Sequence, residues 1–252
     1  MTLKYSGISM AGGKHRNDFY GETVSKDEAK PAIPAATVVL LKDGSEGTEV
    51  LMLHRTSKVH FGGMWVFPGG RIDPEDHPAD GDINKAARSA AARETMEEAS
   101  ITVQPDEFVW FAHWTPPAIR AVRYATWFFA TSIDEHEAIS VDGHEIQDHA
   151  WIKPATALER HAKGEIDLVA PTWVTLHHLS LYDNSTDILA KFSANPHRVY
   201  ETHLATTSNG VNVAMWEGDA GYADGNPDTE GARHRLLMPE DGFIFENTAI
   251  DY

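Results

Sequence analysis

The pattern of hydrophobic and polar positions predicts several β-strands and one helix in the first half of the chain. Apolar, β-branched runs at residues 35–41 and 50–54 are separated by turn-forming residues and predict a β-hairpin. Further strands are predicted at residues 65–67, 108–114, 124–130 and 145–152. Between these strands, residues 82–99 are helix-permissive and Asp82 is a suitable N-cap, which predicts a helix. The expected class is therefore α+β.

The second half continues with two helices and several short strands. Helices are predicted at residues 154–163 and 172–182, and strands at residues 199–205, 211–216, 235–238 and 243–245. Residues 218–231 are rich in Gly, Asp and Asn and predict an exposed loop. We expect an N-terminal arm over residues 1–34, a core over residues 35–163, and a C-terminal extension over residues 164–252 packed on that core.

Charge and composition narrow the possible partners and the cell compartment. The 252 residues carry a formal net charge of -17, which opposes binding to polymeric nucleic acid or to an anionic membrane surface. The chain has no cysteine, so disulfides, thiolate nucleophiles and cysteine-bound zinc are excluded. No apolar run is long enough for a signal peptide or a membrane span, and we expect a cytoplasmic protein.

Three carboxylates on the helix at residues 82–99 are the strongest chemical signal. Glu94, Glu97 and Glu98 are spaced so that a helix places them on one face, where like charges repel. A solvated acidic face is the ordinary explanation in a chain this acidic. Arg93 directly before them, and the Phe-Pro-Gly-Gly loop at residues 67–70, favour a hard divalent cation among the oxygens instead.

These residues resemble the signature of the Nudix hydrolase superfamily. In that signature a Gly-Gly loop precedes a helix bearing Arg-Glu-(apolar)-x-Glu-Glu, whose charged positions are matched here by Arg93, Glu94, Glu97 and Glu98. The resemblance implies an α/β/α sandwich with a mixed sheet and hydrolysis of a pyrophosphate bond in a nucleotide-linked small molecule. It also implies Mg²⁺ or Mn²⁺ held by Glu94, Glu97, Glu98 and the carbonyl of Gly69.

The same resemblance implies roles in catalysis. Glu94 either binds metal or acts as the base toward water, with Arg93 orienting it through a charge-assisted hydrogen bond. A further acid is expected from a later loop, and Glu145 is the first candidate. An exposed acid at a strand edge is an equally good interpretation of Glu145, and Asp142 and Asp148 compete for the role.

Two departures from the family pattern stand out. From Arg71 to Ala92 the chain has 22 residues, about nine more than is usual in the family. Asp76 keeps its count from Gly70, but the insertion leaves the first acid of the pattern open, and we assign Asp76 no role. In addition, Ser100 stands where the family has a glycine that ends the helix in the left-handed conformation, which costs a serine about 1 kcal/mol.

The substrate expected first is coenzyme A or an acyl derivative. Arg55-Thr56 and residues 63–70 are similar to the motif of coenzyme A diphosphatases within the superfamily, and the insertion is typical of the same branch. Phosphate recognition needs cationic donors, for which Arg55, Arg71 and Arg123 are the candidates, with Arg120 beside them.

Other functions compete with this one. ADP-ribose, NADH and dinucleoside polyphosphates are alternative substrates, and a non-catalytic nucleotide-binding module is an alternative class, motivated by the long C-terminal extension. The resemblance also implies a homodimer, since dimers are frequent in the family.

Overall fold

The computed structural model describes residues 30–56, 62–118, 122–133, 139–141 and 143–251. Most of the predicted N-terminal arm, together with Arg120 and Asp142, lies outside the described residues.

Along the described chain the strands and helices follow the order that the sequence predicts. A short strand at Gly69–Arg71 and a helix at Ser185–Ala194 are additional, and the predicted strand at residues 199–205 is divided in two. The strands are β1 (Ile33–Gly44), β2 (Gly47–Arg55), β3 (Trp65–Val66), β4 (Gly69–Arg71), β5 (Val109–Thr115), β6 (Tyr124–Ser132), β7 (Ile146–Ile152), β8 (Arg198–Glu201), β9 (His203–Thr206), β10 (Asn212–Met215), β11 (His234–Met238) and β12 (Ile244–Asn247). The helices are α1 (Ile83–Ala99), α2 (Pro154–Ala162), α3 (Ala170–Leu179) and α4 (Ser185–Ala194). In the part of the chain that the structure describes, no helix has the length and hydropathy needed to cross a membrane.

A large mixed sheet forms the centre of the molecule. Its strand order is β3-β2-β1-β6-β5-β8, with β4 paired to β1 and β7 paired to β2. The predicted hairpin of β1 and β2 is antiparallel, whereas β1 and β6 run parallel. The residues of β1 from Ala35 to Leu41 are buried on both faces of the sheet, as expected for a central strand whose two faces are both covered.

Helices cover both faces of this sheet. On one face, α1 packs its small residues Ala87, Ala90 and Ala91 against Val38 and Leu40. On the other face, α2, α3 and α4 share a second core with the alternate residues of β1 and β2, which are Val39, Leu41, Val50 and Met52. This arrangement confirms the predicted α/β/α sandwich with a mixed sheet.

The local sequence accounts for both ends of α1. The Asp82 side chain accepts hydrogen bonds from the backbone N–H groups of Asn84 and Lys85, as expected of an N-cap. At the other end Ser100 adopts the left-handed conformation, with φ 59°. Its hydroxyl donates to the carbonyl of Ser140 at 2.9 Å, which offsets part of the conformational cost.

The C-terminal part differs from the prediction in two strands and one helix. The run at residues 199–205 is not one strand but two, because β8 pairs parallel with β5 in the large sheet while β9 joins a small sheet of order β12-β11-β10-β9. The change of partner occurs at the buried Thr202, whose N–H donates to the carbonyl of Thr115. Helix α4 is not in the sequence prediction, although Asn184 caps it as a side-chain acceptor.

Residues 218–231 are irregular, as expected, but not wholly exposed. Asp219 is buried and accepts two hydrogen bonds from the buried guanidinium of Arg235. The burial comes from the partner on β11, which local composition does not reveal. The second core contains residues from both sides of residue 164. The domain boundaries proposed from the sequence stay predictions.

Candidate active site

The glycine loop lies tightly against β1. Pairing of β4 with β1 places Gly69 opposite Thr37, and the Thr37 hydroxyl donates to the carbonyl of Pro68 at 2.6 Å. A Cβ added to Gly69 would lie 2.4 Å from the carbonyl oxygen of Ala36, and its φ is +155°. Only glycine fits at this position, which explains why the first residue of the pair is a glycine.

The second glycine brings the loop against helix α1. A Cβ on Gly70 would lie 2.2 Å from Oε1 of Glu94, so the carboxylate occupies the space that a side chain would fill. One residue earlier, the N–H of Gly69 donates to Oε2 of Glu98 at 3.0 Å. The loop and two of the predicted glutamates therefore form one continuous site.

Glu98 is the buried acid of this site. The residue is 4% exposed, and its other oxygen accepts a hydrogen bond from Arg55 Nη1 at 3.3 Å. Burial raises the pKa of Glu98 to about 8, and the charges of Glu94 and Glu145 act in the same direction. The Gly69 N–H and Arg55 oppose that rise without cancelling it.

Glu94 is partly buried beside the loop. Burial raises the pKa of Glu94 above its ordinary value, although Arg93, which donates to Oε1 at 3.0 Å, favours the charged form. A raised pKa makes a carboxylate a better proton acceptor, which suits the predicted base.

Arg93 is held by the insertion. Its Nε and Nη2 donate to the two oxygens of Asp76 at 3.1 and 2.9 Å, a two-bonded pairing that fixes the plane of the guanidinium. Asp76 is buried, yet Arg93 and the N–H of Asp73 keep its pKa below the ordinary value. Sequence reasoning left Asp76 without a role. The signal was there in its unchanged count from Gly70.

Glu145 reaches the same site from the other side. It precedes β7, whose pairing with β2 is irregular between His54 and Arg55. Arg55 Nη2 donates to Glu145 Oε2 at 2.7 Å, while the backbone N–H of Thr56 donates to the Glu145 carbonyl. One guanidinium thus joins the acid of the later loop to the buried glutamate of α1.

Three predicted residues lie further out. The side chain of Glu97 is 57% exposed and contacts Arg93 Nη1 at 3.2 Å. The side chain of Arg71 is 62% exposed and lies 4.0 Å from Asp73. Arg123 donates to the backbone carbonyls of Lys30 and Pro116, contacts that tie chain segments together. Substrate binding by Arg71 and Arg123 stays a prediction, as does metal binding by Glu97.

The carboxylates of this site fit a divalent ion that is held only in part by the protein. Among the described residues, no three His, Asp or Glu side chains are close enough to hold one ion together. Mg²⁺, however, is commonly held by one or two carboxylates, with water and substrate phosphate completing its shell. Glu94 and Glu98, both against the glycine loop, are hard oxygen donors of that kind.

An apolar pocket lies away from these carboxylates. It is lined by residues of β5, α3, α4 and β8, among them Trp114, Tyr200, Phe192 and Leu181. No predicted site residue lines it. The candidate active site lies at the carboxylates, because these groups can bind a metal ion and accept a proton. The lining of this pocket is mainly apolar and aromatic.

The comparison with protein families agrees with the geometry of this site. The family model described as the NUDIX domain matches residues 31–173. That match covers more than half of the chain, and the chain belongs to the Nudix family. The predicted enzyme class, a Nudix pyrophosphohydrolase, is thereby confirmed. Members of this family generally use divalent metal ions.

Individual relatives are distant. The "Putative nudix hydrolase 7" of Caenorhabditis elegans is 22% identical over 213 residues, which is 70% of each chain. The "CTP pyrophosphohydrolase" of Escherichia coli (strain K12) is 25% identical over 127 residues, covering 50% of this chain and 80% of that protein. A crystal structure of a Nudix hydrolase from Alicyclobacillus acidocaldarius covers 66% of this chain and 99% of its own, with 24% identity and a TM-score of 0.57, which supports the fold.

Proposed function

We propose that this protein hydrolyses the pyrophosphate bond of a nucleoside-diphosphate-linked small molecule, with coenzyme A or acyl-coenzyme A as the first substrate. The products would be 3',5'-ADP and phosphopantetheine or its acyl form. One observation carries the proposal: the Gly69-Gly70 loop receives Glu94 and Glu98 side by side, in a site that Arg55 and Glu145 complete.

Each side chain has a definite task in this proposal. Glu94 accepts a proton from the attacking water, since its partial burial raises its pKa toward the working range of a base. Arg93, itself fixed by Asp76, keeps the Glu94 carboxylate in one orientation. A bound Mg²⁺ or Mn²⁺, held by Glu98 with help from Glu94, Glu97, Glu145 or the Gly69 carbonyl, would neutralise phosphate oxygens and acidify water.

Support for coenzyme A comes from the segment at residues 55–56 and 63–70. Arg55 lies at the site and its Nε has no hydrogen-bond partner among the described residues, nor has the buried hydroxyl of Thr56. An arginine N–H and a hydroxyl are both donors of a kind that phosphate oxygens accept. This pair is also the part of the sequence that is similar to the coenzyme A diphosphatase motif.

The test is a substrate panel with Mg²⁺ or Mn²⁺. Coenzyme A, acetyl-coenzyme A, ADP-ribose, NADH, diadenosine polyphosphates and CTP are compared by product chromatography, CTP being included because of the E. coli relative. We expect the highest kcat/KM with coenzyme A or its acyl form. Turnover confined to any other member of the panel would refute the coenzyme A assignment.

Variants of exposed acids test the metal-binding role. Glu97→Gln should lose most turnover without unfolding, because its side chain is 57% exposed. Glu75→Gln is the matched control, since Glu75 is an exposed acid of the insertion for which we propose no metal contact. Equal turnover in the two variants would remove Glu97 from the metal site. The cytoplasmic location and the homodimer stay predictions.

A further inference from the structure

Arg55 lies between two acids that come from distant parts of the chain. Its Nη1 is 3.3 Å from Glu98 on α1 and its Nη2 is 2.7 Å from Glu145 before β7. Its side chain is only 14% exposed, which limits the directions in which the guanidinium can turn. A cation in this position contacts at once the predicted metal ligand Glu98 and Glu145, the candidate for the further acid.

Acidic side chains outnumber basic ones around Arg55. Glu94, Glu98 and Glu145 are near enough for Glu98 to feel the charges of the other two, and Arg55 contacts two of these three acids. Arg93 contacts the third acid, Glu94, but is shared with Asp76 and Glu97. Like charges at such separations repel one another, and two guanidiniums neutralise only part of the total. The acids therefore attract further positive charge, while Arg55 occupies the space between two of them.

We propose that Arg55 is an internal counter-cation that a divalent ion displaces from Glu98 and Glu145, and that the displaced guanidinium then binds a phosphate of the substrate. The inference rests on the proposed function and adds a coupling between metal binding and substrate recognition. Arg55 is thus a specificity-determining residue that becomes available to phosphate only after the metal has bound.

The chemistry of guanidinium supports such an exchange. Its planar set of N–H donors matches carboxylate and phosphate oxygens equally well, so the same group can pass from one to the other. A divalent cation and a guanidinium repel each other when they share the same carboxylates. Moreover, the buried Nε of Arg55 has no hydrogen-bond partner among the described residues, so its present contacts leave one donor unused.

The experiment is calorimetric titration of the full chain with Mn²⁺ in the absence of substrate. We expect Arg55→Gln to bind Mn²⁺ about tenfold more tightly than the wild type, equal to about 1.4 kcal/mol, because the competing cation is gone. Arg71→Gln is the matched control, since it also removes one positive charge beside the glycine loop but contacts neither Glu98 nor Glu145. We expect its Mn²⁺ affinity to remain that of the wild type.

Two further measurements keep the test decisive. Arg55→Lys retains the charge but lacks the fork that joins two acids, and its Mn²⁺ affinity should lie between those of the wild type and Arg55→Gln. If Arg55→Gln does not fold, the Mn²⁺ affinity of Arg55→Lys tests the inference. With saturating Mn²⁺, either variant should bind 3',5'-ADP more weakly than the wild type does.

The outcomes separate this inference from the proposed function. An Mn²⁺ affinity in both Arg55 variants that is equal to or weaker than the wild type's, or equal to that of Arg71→Gln, would overturn the inference. Glu98→Gln tests the site itself, because it should weaken Mn²⁺ binding. If wild type and Glu98→Gln bind Mn²⁺ equally, the metal site of the proposed function is wrong, whatever Arg55 does.

Discussion

Replacing Gly70 with alanine should shift the Glu94 carboxylate while the protein stays folded. The backbone of Gly70 is not in the left-handed region, so alanine is compatible with its conformation. The added Cβ would, however, lie 2.2 Å from Glu94 Oε1, against an ordinary contact of 3.4 to 4 Å. The carboxylate must move by about 1 Å to relieve the overlap.

The effect on stability should be moderate because opposing contributions cancel in part. Alanine restricts the unfolded chain and stabilises by about 0.4 to 1 kcal/mol. Moving Glu94 weakens its hydrogen bond with Arg93, at a cost of about 1 kcal/mol, and strains its rotamer by about 0.5 to 1.5 kcal/mol. The free energy of unfolding should therefore fall by no more than about 2 kcal/mol.

The effect on catalysis should be much larger. A catalytic group displaced by about 1 Å can lose about a hundredfold in rate. We expect kcat for the best substrate of the panel to fall by about that factor in Gly70→Ala, as measured by product chromatography alongside urea denaturation.

Two other glycine variants frame this prediction. Gly44→Ala is the control for a harmless substitution, because its Cβ would meet nothing closer than the carbonyl of Gly47 at 3.6 Å. Gly69→Ala is the contrast, because its Cβ would strike the backbone of Ala36 at 2.4 Å and it should destabilise the fold severely. Wild-type kcat in a folded Gly70→Ala, or unfolding of Gly70→Ala as complete as that of Gly69→Ala, would refute the reasoning.

The remaining predictions concern pH and one arginine. The folded-state pKa of Glu98, about 8, exceeds its unfolded value. The contribution of Glu98 to stability is therefore complete below about pH 4.5 and is lost as the pH rises through 8. In urea titrations of the metal-free protein, Glu98→Gln should reduce this fall of the unfolding free energy with pH. Burial lowers the pKa of His178 to about 3, so protonation opposes folding and stability should decrease as the pH falls below about 6.5; if His178→Phe keeps the same acid slope, His178 is not its source. Arg123→Ala should lose about 1 to 2 kcal/mol of stability with its contacts to Lys30 and Pro116. A raised KM with unchanged melting would instead support its predicted role in substrate binding.

Much of the large sheet and its main helix could be predicted because their signals are local. The hairpin of β1 and β2 follows from two β-branched runs around a turn, and α1 follows from its composition and from Asp82 at its start. The carboxylates of the site were predictable for the same reason, since a helix converts their spacing into a shared face.

Partners distant in the sequence were not predictable. The run that divides into β8 and β9 has continuous strand character, and only the competition between two sheets for its backbone splits it at Thr202. The buried pairing of Asp219 with Arg235 likewise depends on β11 lying beside an otherwise polar loop.

By itself, the sequence determined the chemistry of this protein: a glycine loop, an arginine and three glutamates whose spacing is meaningful only on a helix. The tertiary structure decided which of those groups meet. Burial against the loop separates Glu98 from the exposed Glu97, the insertion supplies Asp76 to Arg93, and the end of β2 brings Arg55 between acids 47 residues apart in the chain. These are differences of burial and long-range contact, and neither is encoded in the spacing of neighbouring residues.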